Sequence, residues 1–261
     1  VKRELVFAGP VARPATTLVC RVRGLVEVAP ESGSASGRGF DELARNLPAH
    51  HSVLADWAGA APELVMVRER LRDWRFYDGF RADSHAPARL AQVGTRTPVL
   101  ANDGADLAAA VQTILETGTD DLARAVAAAF DGATVSVSVT DGLFDLHLHQ
   151  RGMLRPLRSA EISDGTLRFL LWAAALLSPQ PPSLMVLNEP ETSLHPDLVP
   201  PLAELIAGAA TRTQVVVVTH SQTLRERLDA EPIGSDGDAW EIELYKDWGE
   251  TKVADQGLLT T

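Results

Sequence analysis

Lysine is nearly missing from this sequence: it occurs only at Lys2, Lys246 and Lys252. Cysteine is rarer still. Cys20 stands alone, which excludes an internal disulfide and suits a reducing, cytoplasmic setting. A lone cysteine on the apolar side of a strand reads as a small core residue rather than a nucleophile. No apolar run reaches the about 18 residues of a membrane span, and the longest candidate, Leu167 to Leu177, is broken by Arg168. The opening Val-Lys-Arg-Glu-Leu lacks the basic-then-apolar pattern of a signal peptide. The first residue is not Met, so a fragment or a processed product is expected. There is no internal repeat.

What is present is ordinary globular material. The 261 residues are 45% hydrophobic and 23% charged, enough for one large core or a core with a smaller lobe. The net charge of −11 is uneven: residues 1–100 carry an excess of basic groups, and residues 101–261 carry all of the acidic excess. The acidic part is a poor surface for nonspecific nucleic-acid contact, so any such contact belongs in the first part or on a partner.

Residues 4–8 and 16–28 read as strands, Pro30 to Gly39 as a loop, and 41–58 as containing a short helix. Pro62 opens a helix predicted to run to about Tyr77, with Leu64, Val67, Leu71 and Trp74 as an apolar stripe. Arg68, Arg72 and Arg75 fall on another face. The simpler reading is a solvated face, and the functional one is a phosphate- or DNA-contacting patch with Arg70, Arg81 and Arg89 nearby. Helices are predicted at about 105–117 and 120–130. Residues 134–140 and 143–150 form a hairpin turning at Asp141-Gly142. His147 and His149 share one face of it, a spacing able to chelate a metal, although nothing nearby supplies further ligands.

The chemistry concentrates later. Leu184 to Leu187 reads as a short buried strand running into Asn188-Glu189 and stopped by Pro190. This puts a carboxylate at the carboxyl end of a central strand, where open α/β sheets bind ligands. Val215 to Val218 is a second buried strand, ending in Thr219-His220-Ser221. Ile162-Ser163-Asp164-Gly165-Thr166 opens an apolar helix reaching Leu177. From about 160 on, helix and strand alternate as in a parallel sheet with crossovers. Glu189 could polarise a water for attack on phosphorus, and His220 is placed to touch a terminal phosphate or that water. Asn188 would be a neutral and weak Mg²⁺ ligand. The amides and hydroxyl of the Ser163-Asp164-Gly165 turn could hold phosphate oxygens, with Gly165 allowing close backbone approach. Taken singly, these are a helix cap, a strand end and a turn; in this order they point to phosphate chemistry.

On these residues the sequence resembles the nucleotide-binding domain of ABC-type ATPases, in the branch with RecF, SMC-like proteins and the bacterial "predicted ATPase" AAA group. Residues 162–168 match the signature motif, with Asp164 where transporters have glycine. Leu184 to Glu189 matches Walker B. Thr192-Ser193-Leu194-His195-Pro196 matches the D-loop, and residues 217–221 match the switch histidine. The resemblance is specific across about 150–230, looser from 62 to 150 and poor before that. It implies an α/β P-loop NTPase fold with a mostly parallel sheet and a mixed helical and β lobe. It also implies ATP and Mg²⁺ as cofactors, Glu189 and His220 as catalytic groups, and Ser163, Asp164, Gly165, Thr166 and Ser193 as ATP contacts across a homodimer that sandwiches the nucleotide, with Asn188 at the metal.

Two departures qualify this. Asn188 replaces the usual aspartate, and no Gly-x-x-x-x-Gly-Lys-Ser/Thr loop occurs. An N-terminally truncated ATPase head is therefore expected, with residues 1–100 as its N-terminal lobe or insertion and 101–261 as its C-terminal lobe. The 261-residue chain alone is expected to show no turnover. DNA repair, chromosome maintenance or phage defence is the implied setting. The alternative is a non-hydrolysing dimerisation or partner-binding module. A metal-dependent nuclease is weaker, because no acidic cluster follows His220.

Overall fold

The computed structural model describes residues 1–29, 39–56, 62–231 and 239–254. All but Gly39 of the loop expected at Pro30 to Gly39 lies outside the described residues, as do positions 57–61. Two compact units are present, Val1–Trp74 and Arg75–Thr261. They divide at Trp74, earlier in the chain than the boundary placed near 100, because residues between 75 and 100 pack into the second core: Tyr77, Phe80, Ala82, Ala88 and Leu100 are all buried there.

The first unit is an antiparallel sheet of β1 (Arg3–Phe7), β2 (Thr17–Val22), β3 (Leu25–Val28) and β4 (Asp41–Ala44) in sequence order, followed by α1 (Val53–Asp56) and α2 (Pro62–Asp73). The single strand expected over 16–28 is two strands. Arg23 takes a left-handed φ of 58° beside Gly24, and the chain reverses there. The short helix expected within 41–58 is α1, and residues 41–44 ahead of it form a strand. α2 stops at Asp73, and Arg75 begins a strand, so Arg68, Arg72 and Arg75 do not share one helical face. Val19, Val26, Leu47, Val53 and Leu64 form the small core.

Arg21 holds this unit together from inside. Its side chain is 0% exposed. The guanidinium donates to the Glu4 carboxylate at 2.8 Å and to the carbonyls of Arg23, Leu47, Pro48 and His51. A buried guanidinium is tolerable only when its donors are satisfied in this way. Burial pushes the Glu4 carboxyl up, but the hydrogen bonds from Arg21, Ser52 and the Val53 amide outweigh it and leave Glu4 below its ordinary value.

In the second unit, α3 (Leu107–Glu116) and α4 (Asp121–Ala129) lead to the hairpin of β7 (Thr134–Thr140) and β8 (Leu143–His149). Before them, β5 (Arg75–Tyr77) and β6 (Gln92–Val93) are set apart by a 3-10 turn at Pro87–Arg89. β6, β8 and β7 form an antiparallel sheet, to which β9 (Leu157–Arg158) adds through β8. α5 (Asp164–Leu176) is buried from Phe169 through Leu176, as its all-round apolar sequence requires. β10 (Leu184–Asn188) is followed by a 3-10 turn, α6 (Val199–Ala210), β11 (Gln214–Val218) and α7 (Gln222–Ala230). The hairpin of β12 (Leu244–Asp247) and β13 (Glu250–Val253) ends the described chain.

β11, β10 and β5 make a parallel three-stranded sheet in that order, with Asn188 opposite Val218 and Leu187 opposite Tyr77. Among the described residues parallel pairing is confined to this sheet, and the other sheets are antiparallel. Met185 and Leu187 point into the core that α5 and α6 share. β11 is expected to be buried throughout, but as an edge strand it carries Val216 and Val218 at the surface. At Gly104, which has φ +69°, an added Cβ would meet Leu171 at 2.3 Å. Only glycine fits that turn over α5.

Replacing Arg21 by Met should destabilise the first unit by about 3–5 kcal/mol, because Glu4 and four carbonyls lose their partner. The Glu4 carboxyl is depressed on folding, so its contribution is full above the ordinary carboxylate range and is lost as pH falls through the folded value. Denaturation by urea at pH 7 and pH 3.5, followed by circular dichroism, should show this acid-sensitive component in the wild type and not in Glu4→Gln.

Candidate functional site

The parallel register fixes the site. Three strands end together, and each hands polar residues to the same rim: Asp78 after β5, Asn188 at the end of β10 with Glu189 after it, and Thr219 and His220 after β11. The Asn188 amide donates to the Asp78 carboxylate at 2.6 Å. The Glu189 amide donates to the Val218 carbonyl at 2.7 Å and extends the pairing by one residue. Glu189 itself has φ 45° and Ser193 has φ 61°. Left-handed backbone at a residue with a side chain is costly and collects at functional positions.

The Glu189 side chain is held from two sides. Thr192 donates its hydroxyl to Oε2 at 3.2 Å, and the imidazole Nε2 of His220 lies 3.6 Å from Oε1. The His220 side chain is 87% exposed, so it faces solvent beside the carboxylate. Thr219 ties this corner down: its hydroxyl donates to Glu191 Oε1 and accepts from the Ser221 amide. Ser221 then caps α7 by accepting from the Leu224 amide.

A cleft of about 210 Å³ opens beside Glu189, lined by Asp78, Gly79, Arg168, Trp172, Asn188, Glu189 and Thr192. Its polar groups are of two kinds. Asp78, Asn188 and Glu189 supply oxygen acceptors. Arg168 donates one guanidinium N–H to the Thr192 carbonyl at 2.7 Å, while its Nε and the indole Nε1 of Trp172 are buried with no hydrogen-bond partner among the described residues. Trp172 is 1% exposed and packs edge-on against Tyr77 and Phe80. An unpaired buried donor costs about 1–3 kcal/mol, and both residues are among those that line the cleft. Burial raises the Tyr77 hydroxyl well above its usual range, and that hydroxyl donates to the Leu100 carbonyl at 3.0 Å.

The sequence-predicted residues divide into two groups. Asn188, Glu189 and His220 meet at the sheet rim. Ser163, Asp164, Gly165 and Thr166 sit at the start of α5, and their hydrogen bonds do not reach that group. Ser163 caps the helix, accepting from the Thr166 amide at 3.3 Å and donating to its hydroxyl at 2.8 Å. A Cβ at Gly165 would come within 3.4 Å of the Ser193 carbonyl, so the helix start and the loop after β10 lie side by side. His147 and His149 do not form a metal pair: His149 bonds Ser136 at 2.8 Å, and His147 lies 3.7 Å from the Asp145 carboxylate.

Arg81 and Arg89 each pair with a carboxylate of the protein. Arg81 pairs with Asp83. Arg89 is buried, donating to the carbonyls of Ala82, Asp83, Ser159, Ala160 and Ile162 and to the Asp164 carboxylate at 2.6 Å. It thereby sets the turn that leads into Ser163. Sequence reasoning also misses Asp78, Arg168, Trp172, Glu191 and Thr219. The available signal is positional, since Asp78 directly follows a strand as Glu189 does, but the spacing of α2 predicts helix through β5.

Among the described residues no group of three or more His, Cys, Asp or Glu side chains is placed to hold a metal. The donor set at the rim still suits Mg²⁺, which prefers hard oxygens and takes one or two carboxylates while keeping waters and substrate oxygens as its remaining ligands. No helix among the described residues is long and apolar enough to cross a membrane.

Arg89→Met should cost about 3 kcal/mol or more, since several buried carbonyls lose their donor. Asp164→Ala should cost less than about 1 kcal/mol, because Asp164 is exposed. Comparing the two by thermal unfolding separates carbonyl satisfaction from the ion pair; equal losses would contradict this division.

Three solved structures illustrate the likeness. One comes from a description of ATP-driven dimerisation and DNA-stimulated activation of SMC ATPases, with 17% identity, 55% of this chain and 85% of that chain covered, and a TM-score of 0.43. Another is an Smc head domain with a coiled coil and joint from Pyrococcus yayanosii, with 16% identity, 55% and 27% coverage, and a TM-score of 0.44. A third is an Smc head domain with an extended coiled coil, bound to the C-terminal domain of ScpA, from Pyrococcus furiosus, with 16% identity, 55% and 35% coverage, and a TM-score of 0.42. The matched region is thus less than half of the two Pyrococcus chains. No curated protein matches. The family described as "AAA domain, putative AbiEii toxin, Type IV TA system" matches residues 33–226, across most of the sequence. The chain belongs to that AAA-domain family, ATPase-like proteins with the α/β fold of P-loop NTPases.

Proposed function

We propose that the chain is the water-activating part of an ATP-hydrolysing head, related to SMC and RecF ATPases, that works as a homodimer. The observation that carries this reading is the Glu189–His220 pair, 3.6 Å apart at the end of the central parallel strand, with Glu189 held at positive φ. Glu189 acts as general base. Its carboxylate accepts a proton from the attacking water, and the hydroxyl of Thr192 keeps it in place. His220, beside it and open to solvent, contacts the terminal phosphate. The Ser163 turn, at a helix start, contacts the nucleotide of the second copy together with Ser193. Mg²⁺, when bound, would neutralise charge on the phosphate oxygens. Asn188 and the carboxylates beside it are the groups that would hold it.

The biological setting we propose is DNA repair, chromosome maintenance or phage defence. Arg68 and Arg72 on α2 are the candidate contacts to a DNA backbone, with Arg75 on its separate strand no longer part of that face. The second reading, a module that binds without hydrolysing, is favoured by one observation: Asn188 stands where the metal carboxylate is usual, and its amide is spent on Asp78.

Phosphate release by the protein tests the first reading. Glu189→Gln should lower turnover by about 10²–10⁴-fold while ATP stays bound and the dimer persists in size-exclusion light scattering. Hydrolysis unchanged in that variant removes Glu189 from its role. ATP binding without turnover in the wild type selects the second reading. Duplex DNA binding, followed by fluorescence anisotropy, should weaken in Arg68→Glu/Arg72→Glu and fall steeply with salt; binding indifferent to both would exclude this helix.

A further inference from the structure

Beyond its first residue, α5 carries a single charged side chain. This is Arg168, half-buried between Leu167 and Phe169, which are both fully buried. Its Nε is shut off from solvent and has no hydrogen-bond partner among the described residues. An orphan buried donor costs about 1–3 kcal/mol, so for the helix alone an apolar residue would cost less. The bond that the guanidinium does make leaves the helix: it donates to the Thr192 carbonyl at 2.7 Å, 24 residues further on.

Thr192 in turn is bound to Glu189 twice. Its amide donates to the Glu189 carbonyl at 3.0 Å, and its hydroxyl donates to Glu189 Oε2 at 3.2 Å. The backbone on either side is left-handed, with φ 45° at Glu189 and 61° at Ser193. Such conformations persist only where the surroundings enforce them. The start of α5 lies against the same loop, since a Cβ on Gly165 would come within 3.4 Å of the Ser193 carbonyl. The buried helix is the rigid body here, and the loop is the part that needs fixing.

We infer that Arg168 is a positioning residue for Glu189. Anchored in α5, it fixes the Thr192 carbonyl, and Thr192 then aims the Glu189 carboxylate. Its part is to place the carboxylate, and contact with the substrate is not required of it. The inference rests on reading Glu189 as the general base. A misplacement of about 1 Å at such a group costs about 10²-fold in rate, which sets the size of the effect expected.

The test compares Arg168→Met, which keeps the apolar stem, with Arg168→Lys, Thr192→Val and the double variant Arg168→Met/Thr192→Val. Phosphate release and hydrogen exchange are measured on each. Arg168→Met should lower kcat by about 10²-fold with KM for ATP unchanged, and Arg168→Lys, which keeps a donor for the carbonyl, should restore most of the loss. In the Thr192→Val background Arg168→Met should add little, because the link to Glu189 is already cut. Exchange in Arg168→Met should quicken at the Thr192 and Leu194 amides, which bond within this loop, and stay unchanged along α5. Glu189-dependent turnover that is indifferent to Arg168→Met overturns the inference and leaves the general base standing. A raised KM at unchanged kcat overturns it too, since Arg168 would then act on ATP itself, as do losses that add in full in the double variant. If the wild type turns over no ATP, exchange decides: quickening confined to the loop keeps Arg168 as its anchor and removes the general-base reading, and unchanged exchange overturns the inference. Should Arg168→Met fail to fold, Arg168→Gln takes its place and is judged by the same readings.

Discussion

The parallel register of β5, β10 and β11 is the constraint on which the rest depends. Side chains in a sheet are placed by pairing, and a slip of one residue would turn each to the opposite face. With Leu187 beside both Tyr77 and Val217, the strands run out together, and Asp78, Asn188, Glu189 and His220 emerge on one rim. The apolar residues behind them, Met185 and Leu187, are buried in the core with α5 and α6, so the register is also the one that buries the apolar face. Glu189 then leaves the strand through a left-handed residue, and Thr192 and His220 close around its carboxylate. Strain is stored at the residue whose position matters most to the proposed chemistry.

Two guanidiniums do similar work in different places. Arg21 satisfies the carbonyls of the first unit, and Arg89 those around the turn into Ser163. Each is buried, and each replaces many water contacts by a fan of carbonyl bonds. Neither is available to a phosphate. The arginine-rich character of the first hundred residues is in part architecture.

Much of the second unit was legible in the sequence. The alternation of Thr134 to Thr140, the Asp141-Gly142 turn, the Ser163 cap and the apolar runs before Asn188 and Thr219 each have a local physical cause, and the elements stand where those causes put them. What was not legible depends on partners far away in sequence. Arg75 to Tyr77 continues the spacing of α2, and only pairing with β10 makes it a strand. Val216 and Val218 read as buried because nothing in a valine run reveals an edge. Asp78 was invisible as a site residue for the same reason: its meaning comes from Asn188, 110 positions later.

The central claim is that the β10 tip is where phosphorus is attacked. A crystal structure of the Glu189→Gln variant grown with ATP and Mg²⁺ tests it most directly. The account predicts the γ-phosphate beside His220 and an ordered water between it and residue 189. Nucleotide bound elsewhere, with the rim of Asp78, Asn188 and residue 189 facing only solvent, would contradict it.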